Sequence, residues 1–169
     1  MQGCAGAITA TSVSAALRLM LSIAEIQTVF PAPEEYSKRF FFGKDPRSEE
    51  LSADLKDALA SNQLHNFVIL HAADLPSLAP KGFVAIIGFY LAFAVDHVHS
   101  DVAQRLFLHL CGVSNNEYWR QRCSLLSPGQ ASILMKYIAD FPLAEPGGDT
   151  KGLSESALRH WRALAKNNT

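Results

Sequence analysis

Residues 78–101 read LAPKGFVAIIGFYLAFAVDHVHSD, and this stretch decides the fold. Pro80 punctuates its start, no charge occurs from Gly82 to Val95, and the run stops at a polar, histidine-bearing end. A helix that is apolar on every side has to be enclosed by other helices, so the segment predicts the buried axis of a helical array, over about Pro80–His99. The uncharged run has 14 residues, against the roughly 20 needed to cross a bilayer. Lys81 before it and Asp96 and Asp101 after it leave no room for extension. It reads as a core helix.

The rest of the chain is consistent with one globular unit. Its 169 residues suit a single domain with a real core, and a hydrophobic content of 49% is too high for intrinsic disorder. The 15 basic and 16 acidic residues leave a formal charge of −1, which argues against a dedicated nucleic-acid binder. Cys4, Cys111 and Cys123 form no C-x-x-C pair, and the odd count fits a reducing compartment. The first residues superficially resemble an export signal, but they lack a basic leader and carry Arg18 inside the apolar part. A cytoplasmic protein is expected, with no membrane partner.

Apolar spacing and punctuation place the other helices. One is expected from Val13 to about Phe30, stopped by Pro31 and Pro33. The first 12 residues read as frayed, and residues 34–47 as an irregular connection broken at Gly43 and Pro46. Ser48 is a candidate cap for a helix over 49–60, with Leu51, Leu55, Ala58 and Leu59 on one face and Glu50, Asp54 and Asp57 on the other. His65–Ala73 contains FVIL, but no second convincing strand exists to pair with it, so it is assigned helix. Helices follow over Asp101–Leu110 and Asn115–Leu125. Ser127-Pro128-Gly129-Gln130 is the best-marked start, combining a serine cap, proline at the first position and glutamine three residues on. That helix ends at Phe141-Pro142; residues 143–152 read as a flexible loop, and a last helix over Glu155–Lys166 sets Leu158, Trp161 and Leu164 on one side. The sum is an all-α domain, a bundle or orthogonal array of six or seven helices.

Leu78-Ala79-Pro80-Lys81-Gly82-Phe83 with Tyr90-Leu91, then Leu126-Ser127-Pro128-Gly129-Gln130, then Ala157-Leu158-Arg159-His160-Trp161 occur in that order. This order resembles an uncharacterised family of small all-helical bacterial proteins over roughly residues 75–162. The chain departs from the family pattern at Ala79, where threonine is usual, and at Ile87–Phe89, where a proline is frequent. The resemblance implies an all-helical fold and supplies no catalytic residues. Small orphan helical proteins of this type are often encoded beside toxins, which is an association only.

Asp96-His97-Val98-His99-Ser100-Asp101 is the obvious candidate for metal chemistry. On a helix, residues two apart lie about 200° apart, so His97 and His99 cannot grip one ion together. Asp96 with His99, or His97 with Asp101, gives a two-ligand pair, and a zinc site needs a third protein ligand, for which His71 and His109 are the available donors. The alternative is a helix end where histidine meets the dipole and Asp101 caps the next helix. Cys123 follows Tyr118-Trp119-Arg120-Gln121-Arg122, where arginines would lower a thiol pKa; the plainer expectation is a half-buried cysteine with both arginines at the surface. The same segment would suit phosphates, with Trp119 stacking on a base. No glycine-rich phosphate loop and no recognisable Ser-His-Asp set is present.

Two features suit protein recognition better. Phe40-Phe41-Phe42 lie between Lys38-Arg39 and Lys44, and three successive phenylalanines in a connection cannot all point inward, which makes Arg39, Phe41 and Phe42 candidate interface anchors. The second is the acidic stripe Glu50, Asp54, Asp57, extended by Asp45, which would complement a basic groove. The expected function is therefore a non-catalytic binding protein without cofactor: an immunity protein or antitoxin, with a cognate toxin or effector domain as partner. The alternatives are a metal-dependent hydrolase built on residues 96–101 and a structural or regulatory homodimer formed through an apolar helix face.

Overall fold

No residue from Gly82 to Val95 is solvent-exposed in the computed structural model of the protein. The structure describes residues 21–30, 46–114, 116–141 and 150–166. Among these, the chain forms α1 (Ile23–Val29), α2 (Pro46–Ala60), α3 (Leu64–Leu70), α4 (Pro80–Asp96), α5 (Asp101–Cys111), α6 (Glu117–Cys123), α7 (Pro128–Asp140) and α8 (Thr150–Lys166), with a 3-10 turn at Leu75–Ser77. No strand occurs among the described residues, and no described helix is long and apolar enough to cross a membrane.

The all-round apolar helix is α4, and it packs against α1, α3, α5 and α6. Phe83, Ile86, Ile87, Tyr90, Leu91 and Ala94 are buried to 1% exposure or less, the burial demanded of a helix with no polar face. Gly88 faces α1. A side chain there would meet Phe30 Cγ at 3.0 Å and Phe30 Cβ closer still, so the missing side chain is what lets the two helices approach. Around this axis α7 and α8 pack on each other and on α5, while α2 packs principally on α3 at the periphery.

Aromatic donors tie the array together, three of them by satisfying carbonyls left over at helix ends. Trp161 Nε1 donates to Leu110 O (3.1 Å) and Trp119 Nε1 to Gly112 O (3.1 Å), both at the end of α5. Tyr90 Oη donates to His71 O just beyond α3 (3.0 Å), and Tyr137 Oη to Ala103 O (2.9 Å). Burial pushes both phenols above their ordinary range, so they act as donors at any physiological pH.

The capping box at Ser127 and Gln130 forms as its residues dictate, with Gln130 N donating to Ser127 Oγ (3.2 Å) and Ser127 N to Gln130 Oε1 (2.9 Å). Several boundaries move. A continuous helix over 13–30 is excluded, because Ser22 is extended (φ −90°, ψ 151°) and caps α1 with Glu25 in a second capping box. Helix α2 begins at Pro46, not after Ser48, since proline is well suited to the first helical position. The central helix ends at Asp96, and residues 97–99 form a turn. Ser100 rather than Asp101 caps α5, accepting from Ala103 N. Residues 150–152 belong to α8 and not to a loop.

Candidate functional site

Helix α2 divides as its sequence requires. Leu51 and Leu55 are buried to 1% exposure, whereas Glu50, Asp54 and Asp57 all stand on the solvent face. Three carboxylates at spacings of four and three residues share one side of a helix, so the stripe is a single rigid array. Asp45 lies outside the described residues, as do Lys38, Arg39, Phe40, Phe41, Phe42 and Lys44.

Tertiary structure adds a partner for the middle carboxylate. His71, 5% exposed, sits where α3 ends, with Nδ1 3.0 Å from Asp74 Oδ2 and Nε2 3.1 Å from Asp54 Oδ2. The Nε2 contact is close but does not make a hydrogen bond. A ring protonated on Nδ1 donates to Asp74, and only a doubly protonated ring has a proton for each carboxylate. The imidazole thus lies between Asp74 and Asp54 at the end of α3. Directly before it in the chain, Ile69 and Leu70 are 48% and 76% exposed. The end of α3, which packs on α2, is therefore an exposed apolar tip. Its signal in the sequence is FVIL itself: four consecutive apolar residues on a short helix cannot all point inward, and only Phe67 and Val68 are buried.

The histidine segment is arranged differently from the helical geometry expected of it. His97 is the last residue capping α4, with Nε2 3.5 Å from Asp96 Oδ2 and its ring against Phe93 and His65, at centroid distances of 4.5 and 5.2 Å. His99 is exposed in the turn, and Asp101 Oδ2 is held by Arg105 Nε at 2.5 Å. The candidate third donors lie elsewhere: His71 is engaged by Asp54 and Asp74, and His109 packs on Trp119 at 5.0 Å. Among the described residues no group of three or more histidine, cysteine, aspartate or glutamate side chains could hold a metal ion.

Arg122 corrects the expectation of two surface arginines. Arg120 is exposed and paired with Glu117 (3.2 Å), but Arg122 is 2% exposed. Its guanidinium lies 3.4 Å from the centroid of the Tyr118 ring and donates to Leu78 O, to Pro76 O (3.3 Å) and to Tyr118 O (3.4 Å). It pins the approach to α4 onto α6. The spacing Trp119, Arg122, Cys123, Leu126 already marks one helical face, which is the signal that could have placed this arginine inside. Cys123 is buried rather than half-buried, and desolvation pushes its thiol up to about 12 in spite of the arginine. It is not an activated nucleophile. With Trp119 at 3% exposure, no stacking platform for a base exists there.

Comparisons of the chain with protein-family models, with curated proteins and with solved structures found no match.

Proposed function

We propose that the chain is a non-catalytic protein-binding protein acting in the cytoplasm, most specifically an immunity protein or antitoxin that neutralises a bacterial toxin by covering its active site. One observation carries the reading: Glu50, Asp54 and Asp57 are presented together on the solvent face of α2, and α3, which packs on α2, leaves Ile69 and Leu70 exposed. An apolar centre with a charged rim is the usual anatomy of a recognition surface. The carboxylates stand on a helix whose other face is anchored in the core, so the backbone that presents them needs no ordering on docking. The complementary partner has a basic groove, such as a phosphate-binding cleft, with a recess for Leu70.

The test is co-expression with candidate toxin domains encoded by neighbouring genes, scored by cell survival and by binding of the purified pair at two salt concentrations. The variant E50K/D57K leaves the Asp54–His71 contact in place and reverses two charges of the stripe. We expect it to weaken binding by 100-fold or more, with wild-type affinity falling as salt rises. Wild-type protein that binds no co-encoded partner, or a folded double variant that still protects fully, removes this reading.

A further inference from the structure

A cavity of about 170 Å³ lies between the end of α6, the start of α7 and the second half of α8. Its apolar wall is formed by Cys123, Leu126, Ala131, Met135, Trp161 and Ala165. Cys123, Leu126, Ala131 and Trp161 are buried, whereas Ser124 and Ser127, which also line the space, are exposed and mark its open side. None of these residues belongs to the acidic face of α2, so the cavity is independent of the docking surface proposed above.

An apolar cavity of roughly 150 Å³ admits a molecule of the size of benzene, and this space is of similar volume but open on one side. The chemistry of this wall narrows the class further. A thiol, a thioether and an indole converge on one small space, and sulfur and indole edges both favour an aromatic ring over a saturated one. Desolvation holds the Cys123 thiol protonated at neutral pH, so the wall carries no charge from it. At the open side Ser127 Oγ accepts from Gln130 N at 3.2 Å. Its own proton can be donated to an oxygen on the occupant.

We propose that this cavity is a binding site for a monocyclic aromatic molecule, its ring between Trp161 and the sulfur atoms of Cys123 and Met135 and a neutral oxygen substituent turned toward Ser127. Toluene, benzyl alcohol and methylcyclohexane are the probes, added to the full chain and read by thermal unfolding and by tryptophan emission. Toluene and benzyl alcohol should raise Tm by about 3–6 °C at tenfold excess over Kd and alter the emission. Benzyl alcohol should bind at least as tightly as toluene, and methylcyclohexane at least threefold more weakly. Ala131→Leu fills the space from α7 and should abolish the toluene response; Ala165→Leu fills it from α8 and serves if the first variant does not fold. No Tm change up to the solubility of toluene, equal binding of methylcyclohexane, or a full toluene response in either folded variant overturns the proposal.

Discussion

Replacing His109 by leucine should remove a large part of the acid sensitivity of this fold. His109 lies in the last turn of α5, with its ring near Phe83 (6.0 Å), Trp119 (5.0 Å) and Tyr118 (6.4 Å). Burial, reinforced by the Arg122 cation, lowers its pKa from 6.5 to about 4. Between those two values the unfolded chain binds a proton that the folded chain refuses. Stability from this group is therefore complete above pH 6.5 and is lost as pH falls toward 4. A difference of 2.5 units at 1.36 kcal/mol each is about 3.4 kcal/mol, and partial solvent access to the ring reduces the expected figure to about 2–3 kcal/mol. At pH 7 His109 is neutral and its Nε2 is buried without a hydrogen-bond partner, so leucine should cost less than about 1 kcal/mol there. Urea unfolding of both proteins at pH 7 and pH 4.5 isolates the group, because the other titrations are common to both and cancel. The variant should gain about 2 kcal/mol or more over wild type between the two pH values. Parallel stability curves would refute the assignment of His109 as a neutral, desolvated side chain.

Two further substitutions test the packing. Gly88→Ala forces α4 and α1 apart at Phe30, and because the obstruction is at Cβ no side-chain rotation relieves it. Overpacking of about 1–3 kcal/mol should outweigh the helix-propensity gain of under about 1 kcal/mol and lower Tm by several degrees in a melting experiment. Arg122→Met keeps the volume but leaves Leu78 O and Pro76 O without their guanidinium donor. A loss of about 2–4 kcal/mol in denaturant unfolding is expected, and Arg122→Lys should recover only part of it, since an ammonium cannot reproduce the fork or its stacking on Tyr118. Equal stability of the methionine variant and wild type would mean that the buried guanidinium contributes nothing net.

Much of the helical layout was legible because its determinants are local. Ser127 and Gln130 cap α7 through bonds that close within three residues, and the division of α2 follows from the turn of a helix. The misplaced boundaries also had local signals that lost to broader ones. Ser22 and Glu25 spell a capping box inside an apolar pattern that reads as continuous helix, and Pro46, which reads as a breaker, starts a helix. The acidic stripe was readable residue by residue. Its proximity to His71 was not, because Asp54 and His71 belong to different parts of the chain.

The sequence by itself determined that Gly82–Val95 is a shielded helix, since an uncharged 3.6-residue spiral has no face to show to water. It also determined that the chain is all-α around that helix. Only the tertiary structure decided that Arg122 is a core residue bonded to carbonyls 44 and 46 positions away, that Gly88 exists to admit Phe30, and that Cys123, Met135 and Trp161 enclose a common space. Periodicity specifies which side of a helix turns inward. What it meets there depends on how separate helices are set against one another, and that is fixed by the packing of the whole chain.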